Sequence, residues 1–326
     1  MEPAARAAGE PEVSIIVESY NHAEGSSLER LRLGLRAALG TASDYGPAEV
    51  LLADSSDDPE LAEMLERDLP EVRRVEATGR PYDDSKSVAV SQARGDYVLF
   101  LDGDVIPDRE DWAARHVAAL RRGAAATSGF TRLEGGFLAA LHTVMDFGFL
   151  IPVADRELRC YASNNVGFRR ETLAACPIPD GPLRCNCYQH AALLRRRGTP
   201  ARMVADAEVE HEEQPFWEER LRRGHDQVAA CWANPELPEA RLLKLGPLAA
   251  PLFYGRDVVF DWRRLLGGRR DVGLSRAGAA IGLLVFPILR LADLAGIVRA
   301  LLKRSKARLD AGATQPDPTR SAPPAR

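Results

Sequence analysis

Tyr97-Val98-Leu99-Phe100-Leu101-Asp102-Gly103-Asp104 is the stretch from which the rest of the chain can be read. An apolar run this short, with no polar alternation, reads as a strand covered on both faces, the pattern of a parallel sheet. It stops abruptly at two carboxylates with a glycine between them. Pro107-Asp108 then reads as the start of a helix carrying Trp112, His116 and Leu120. In open α/β sheets ligands bind beyond the carboxyl ends of the strands. The Asp-Gly-Asp turn therefore falls where chemistry is expected. Two hard oxygen donors two residues apart suit a divalent cation that bridges to a substrate diphosphate.

Strands alternate with helices on both sides of this stretch. Val13 to Val17 and Glu49 to Ala53 are β-branched or apolar runs that end at Glu18 and Asp54, so acids close three strands. Ser26 and Glu29 have capping-box spacing, Leu28, Leu31, Leu35 and Leu39 follow at helical period, and Gly40 suits the helix end. Asp58 caps a further helix with Pro59 at its first position. Val72 to Val75 reads as a strand and residues 84–94 as a helix. Downstream, residues 124–130 read as a strand, 134–152 as helix, 186–197 as a helix stopped by Gly198, 201–210 as an edge strand, and 216–230 as a basic amphipathic helix. This alternation means an α/β fold with a mostly parallel sheet.

The chain has 326 residues, 45% hydrophobic composition and a formal net charge of -4. One substantial core is affordable, and nothing global suggests nucleic acid as a partner. Five cysteines, an odd number, include Cys185 and Cys187 in a C-x-C too tight for a zinc knuckle. Reduced thiols and a cytoplasmic setting are expected. The opening MEPAARAAGEPEV is polar and does not read as a signal peptide. Ala277 to Leu289 carries no charge, but Pro287 lies inside it and Arg290, Asp293 and Arg299 interrupt its continuation. A spanning helix needs about 20 predominantly apolar residues. With basic residues on both flanks, 276–302 reads as a helix lying in an anionic membrane interface; a helical hairpin packed on the domain is the alternative.

At this point the chain resembles family 2 glycosyltransferases. Val13-Ser14-Ile15-Ile16-Val17-Glu18-Ser19-Tyr20-Asn21 is similar to the family's opening strand and loop, with Glu18 in place of the usual proline. Val50 to Ser56 is similar to its second strand, Ala93 to Asp104 to its metal-binding segment, and Ser163 to Arg170 to its acceptor-side turn and strand. The resemblance covers residues 12–230. It implies a GT-A fold: a Rossmann-like, mostly parallel central sheet flanked by helices. It also implies a transferase domain over 12–235 with a nucleotide and metal half (12–122) and an acceptor half (123–235); composition and patterning outside it give a flexible 1–11, a helical, membrane-associated extension over 236–309, and a disordered tail over 310–326. Glu18, Asp54, Lys86 and Asp102 are then expected around the nucleotide sugar. Asp104 is expected to be the principal metal ligand, joined by Asp102 and His211. The cation is Mn2+ or Mg2+, and an imidazole ligand favours manganese. Arg222, Arg223 and His225 either reach phosphate or form a wet helix face.

The match breaks at the general base. The family supplies it from an acidic pair at the start of the helix before Gly198, and here that pair falls on Asn186 and Cys187, with the motif's later acid on Gln189. Asp180 is the nearest acid upstream and the expected substitute. Alternatively the acceptor is a lipid phosphate that needs no base, or the chain binds nucleotide without catalysis. A nucleotidyltransferase should show a G-x-G-T-R-like loop after the first strand, where Ser19-Tyr20-Asn21-His22 stands instead. The expected activity is metal-dependent inverting transfer from a nucleoside-diphosphate sugar to a glycan, glycolipid or lipid-linked acceptor at the cytoplasmic membrane face, in cell-envelope polysaccharide biosynthesis.

Overall fold

The computed structural model describes residues 10–23, 26–80, 82–151, 156–179, 186–213, 215–233, 235 and 237–313. It divides into two compact units, Met1–Glu213 with Arg263–Gly282 and Gln214–Trp262 with Leu283–Arg326.

The first unit holds, in chain order, β1 (Val13–Glu18), α1 (Tyr20–Ala23), α2 (Leu28–Tyr45), β2 (Ala48–Asp54), α3 (Pro59–Asp68), β3 (Val72–Glu76), α4 (Tyr82–Gln92), β4 (Tyr97–Asp102), β5 (Val105–Pro107), α5 (Trp112–Arg121), β6 (Ala126–Ser128), β7 (Thr131–Leu133), α6 (Phe137–Phe147), β8 (Asn165–Arg169), α7 (Arg170–Ala175), α8 (Cys187–Arg196), β9 (Ala201–Met203) and β10 (Val209–His211). The central sheet runs β3-β2-β1-β4-β8-β6-β9. β1 to β4 are mutually parallel, while β8 runs antiparallel to both β4 and β6. Ile15, Val17, Leu52, Leu99 and Leu101 form one face of the core with Leu31 and Leu35 of α2 and Trp112 and Val117 of α5. Burial on both faces explains why these strands lack polar alternation.

Four local readings are corrected. Ser27 caps α2 by accepting the Arg30 N–H, while Ser26 instead donates to Glu212 at 2.9 Å. α2 also runs through Gly40 to Tyr45 and ends at Gly46, whose φ of 107° needs a glycine. Asp111, not Asp108, precedes α5, and Asp108 accepts from Arg132. Residues 201–210 are not one edge strand. β9 closes the central sheet, whereas β10 joins a second sheet, β5-β10-β7. The break falls where the Asn165 side-chain amide takes the Ala207 carbonyl at 2.9 Å, next to a Gly129 too close to Ala207 for any side chain.

The second unit contains α9 (Phe216–Ala233), a 3-10 stretch (Pro238–Leu248), and the parts of α10 (Ala249–Gly268) and α11 (Arg276–Ala313) that fall in its ranges. α9 meets α11 through glycines: a Cβ on Gly224 would lie 2.0 Å from the Asp293 carbonyl oxygen, and one on Gly296 would lie 2.1 Å from that of Leu221. Arg290 is buried and bonds Asp261 through two nitrogens, at 2.7 and 2.8 Å. Arg222 and Arg223 pair with Glu219, and Arg222 and His225 with Asp226, forming a wet face. The helix continues through Pro287, and Arg276–Lys303 is long and apolar enough to cross a membrane by length and composition. The interrupting charges do not shorten its apolar face, because Arg290 and Asp293 are turned inward onto Asp261 and each other.

Candidate active site

The carboxyl ends of β1 and β4 lie side by side, with Glu18 in register with Asp102. The Asp-Gly-Asp turn follows directly. Its middle residue must be glycine: a Cβ on Gly103 would sit 2.6 Å from the Glu18 carbonyl oxygen and 2.6 Å from Leu31 Cδ1. Gly34 of α2 is equally constrained, since a Cβ there would lie 2.7 Å from the Gly103 carbonyl oxygen. These two glycines let α2 and β1 press against the turn and fix both carboxylates.

The second sheet adds the third member. β10 pairs antiparallel with β5, placing His211 opposite Val105, the residue after Asp104. Ligand atoms of Asp102, Asp104 and His211 all lie within 4.8 Å of one another, and all three residues are buried. His211 Nδ1 lies 2.6 Å from the Glu212 carbonyl. The same Nδ1 is the ring nitrogen that approaches Asp104, 3.7 Å from Oδ2. Arg30 donates to the Asp104 carbonyl at 3.0 Å and to Glu134, bracing the turn from α2.

Asp102 is held from behind. Lys86, fully buried, gives its three protons to Asp102 Oδ1 at 2.7 Å, Tyr82 Oη at 2.7 Å and the Ser163 carbonyl at 2.9 Å. The Tyr82 hydroxyl lies 2.6 and 2.8 Å from the two Asp102 oxygens and 3.0 Å from Ser163 Oγ. Burial works against the Lys86 ammonium, but Asp102 and Glu18 outweigh it and hold its pKa above the usual value. Lys86 thus reaches the site through Asp102. Glu18 shows the opposite balance. Burial, then the charges of Asp102 and Asp104, push its carboxyl well above the ordinary range. Its Oε2 accepts the Tyr20 N–H at 2.5 Å, while Oε1 is buried without a hydrogen-bond partner.

Three acids surround one ammonium here, and one carboxylate oxygen lacks a donor. That surplus of buried negative charge, with two carboxylates and an imidazole in reach of one point, fits a divalent cation; oxygen donors suit Mg2+ or Mn2+ and the imidazole tilts the set toward Mn2+.

The remaining expected residues are placed as follows. Asp54 ends β2 beside β1, fully buried, with Ser19, Ser56 and Arg74 on its oxygens. Asp180 and Cys185 lie outside the described residues. Asn186 stands immediately before α8 and Cys187 is its first residue. Two buried residues of the site escaped sequence reading. Tyr82 and Asp83 open α4, and Asp83 Oδ2 accepts the Asn186 N–H at 2.5 Å. The available signal was spacing: Tyr82 and Asp83 lie four and three residues before Lys86 and share its helix face. The Ser163–Arg170 turn is built around Asn165, which takes Trp112 Nε1 and His116 Nε2 on its oxygen and gives its amide to the Phe130 and Ala207 carbonyls.

Residues 14–176, half of the chain, match the family described as glycosyl transferase family 2. The chain belongs to that family and is a glycosyltransferase of GT-A type. Among solved structures it is similar to PcManGT, a mannosyltransferase from Pyrobaculum calidifontis in complex with GDP-Man and Mn2+, with a TM-score of 0.60 and 17% identity over 90% of this chain and 88% of that one. It is also similar to GalNAc-T7 with UDP, GalNAc and Mn2+, with a TM-score of 0.50 and 12% identity over 64% of this chain and 45% of that one. At these identities the likeness is one of fold. No curated protein sequence matches the chain.

Proposed function

We propose that this glycosyltransferase is metal-dependent and inverting, that it moves a sugar from a nucleoside-diphosphate sugar to a glycan, glycolipid or lipid-linked acceptor, and that it works at the cytoplasmic face of a membrane in cell-envelope polysaccharide synthesis. The observation that carries the donor half is the buried convergence of Asp102, Asp104 and His211 at the end of β4. The solved relatives hold GDP-Man or UDP together with Mn2+, which agrees with that reading.

Asp104, Asp102 and His211 would hold the cation. When bound, it supplies positive charge against the diphosphate as the bond to the sugar breaks. The protein residues do the rest. Tyr82 and Lys86 fix the Asp102 carboxylate so that it need not reorganise during the reaction. Gly103 and Gly34 let the backbone hold both acids in one place. Glu18 and Asp54, at the ends of β1 and β2, line the nucleotide side.

The membrane reading rests on the second unit. Leu284, Ile288, Leu291, Val298 and Leu302 are exposed on α11 at spacings of three, four and seven. They form one apolar stripe, the pattern of a helix lying in a lipid interface. Lys303 follows it.

Incubation with UDP-, GDP- and TDP-sugars, in Mn2+, Mg2+ or EDTA, tests the donor half. Nucleoside diphosphate release that requires the cation is expected. Donor binding that is indifferent to EDTA, or unchanged in Asp104→Asn, refutes it.

A further inference from the structure

Inverting transfer to a hydroxyl requires a group that takes the acceptor's proton. The acids of the site are mostly committed. Asp54 is occupied by Ser19, Ser56 and Arg74, Asp102 and Asp104 belong to the cation site, and Glu18 lies in register beside Asp102. Asp83 has a different setting. It follows Tyr82, the residue that holds Asp102, yet its own carboxylate is bonded to the start of α8 through the Asn186 N–H. Two elements therefore meet at this carboxylate, α4 from the metal side and α8 from the side of the expected acceptor.

A second observation points to a ligand there. Asn186 is 2% exposed, makes no side-chain cap for α8, and keeps its Oδ1 buried without a hydrogen-bond partner. A neighbouring hydroxyl of the acceptor, not the one that reacts, would complete it by donating to that oxygen. Asp83 itself is 4% exposed, as buried as Asp102 at 5% and Asp104 at 1%, and it is near enough to Asp102 and Lys86 to feel their charges.

We infer that Asp83 is the general base of the transfer, a reading that rests on the donor site proposed above. Its carboxylate takes the proton of the acceptor oxygen as that oxygen bonds to the anomeric carbon. The bond from that carbon to the diphosphate breaks, and its electron pair leaves on the diphosphate. The backbone N–H of Asn186 and the positive end of α8 orient the carboxylate and keep it ionised between turnovers. Burial pushes the Asp83 carboxyl up to about 6, with Asn186 and Lys86 pulling it down and Asp102 pushing it up. A base near that value suits neutral pH.

The test measures nucleoside diphosphate release with water as acceptor, at saturating Mn2+ from pH 5 to 8, together with donor affinity by calorimetry. The donor is whichever nucleotide sugar of the panel binds. Asp83→Asn is expected to lower the rate by roughly 100- to 10,000-fold, leave donor affinity within about twofold and abolish the rise in rate through pH 6. Asp83→Glu should recover part of the rate with a displaced pH limb. If Asp83→Asn does not fold, Asp83→Glu alone decides: a limb at the wild-type pH overturns the assignment. So does an Asp83→Asn rate within about threefold of wild type, or a reduced rate with the limb intact, since either leaves Asp83 only as a support for α8. The same losses in Asp180→Asn, with Asp83→Asn unaffected, would move the base to Asp180. A wild-type protein that binds donor with Mn2+ yet releases no diphosphate at any pH overturns the base and spares the donor site. Absence of metal-dependent donor binding overturns the donor site itself.

Discussion

Replacing Lys86 by methionine removes the only ammonium that the described residues place among Glu18, Asp102 and Asp104, while keeping the length of the side chain. Its three hydrogen bonds, at 2.7, 2.7 and 2.9 Å, are all lost, and the residue has no exposure to water that could compensate. The Tyr82 hydroxyl remains on Asp102, but it is neutral and already shared with Ser163. Removing one partner of a buried ion pair costs about 3–5 kcal/mol, because the other charge stays behind. In EDTA at pH 7, Lys86→Met should therefore lose that amount, equivalent to roughly 6–20 °C in melting temperature for a unit of this size. The deficit should shrink as pH falls, since a proton can take the place of the ammonium. Mn2+ should shrink it as well, because loss of the neighbouring positive charge lets the variant bind the cation more tightly than wild type, and each tenfold gain in affinity returns about 1.4 kcal/mol. Thermal and urea unfolding followed by circular dichroism, each in EDTA and in Mn2+, provides the measurement. A variant within about 1 kcal/mol of wild type in EDTA refutes the view that Lys86 balances this acidic cluster.

Other tests reach different parts of the molecule. His116 and His190 are each pushed down to about 4 by burial. Both are neutral in the folded state and titrate near 6.5 when unfolded, so their contribution is complete above pH 6.5 and is lost as pH falls toward 4. The loss is about 3 kcal/mol for each, and His116→Gln should flatten a urea-denaturation profile across that window. Gly103→Ala places a methyl group 2.6 Å from the Glu18 carbonyl oxygen; it should cost about 1–3 kcal/mol and weaken Mn2+ binding measured by calorimetry. Ile288→Glu, on the exposed stripe of α11, should lower co-sedimentation with anionic vesicles by at least about tenfold without moving the melting temperature. Unchanged sedimentation removes the membrane reading.

The carboxylate cluster at the strand ends could be read from the sequence because its signals are local. A buried strand, a strand-terminal acid and the glycine between two aspartates lie within a few residues of one another, and each states its role through spacing. The mostly parallel sheet followed from the same alternation. What escaped depended on contacts across the fold. Lys86 was expected at the site, but its helix face looks polar in sequence, and only the packing of α4 against β1 and β2 turns it into a fully buried partner of Asp102. Asp83 went unseen for the same reason, since its partner Asn186 is supplied by α8. The segment 201–210 looked like one strand because composition does not reveal the tug of the Asn165 amide on the Ala207 carbonyl. Ser26 and Ser27 are equally good caps by type, and the choice between them is made by Glu212, far along the chain.

The second sheet also has a bearing on how the molecule is assembled. β5 leaves the Asp-Gly-Asp turn early, but it acquires its partner β10, and with it His211, only roughly a hundred residues later, after the rest of the central sheet has been synthesised. A nascent chain stalled before β10 can form the parallel core and both aspartates, yet it has no imidazole to close the set. On the cation site proposed above, tight metal uptake would therefore mark a chain in which β10 has docked. Timed against synthesis, it would report the moment at which the last distant strand docks.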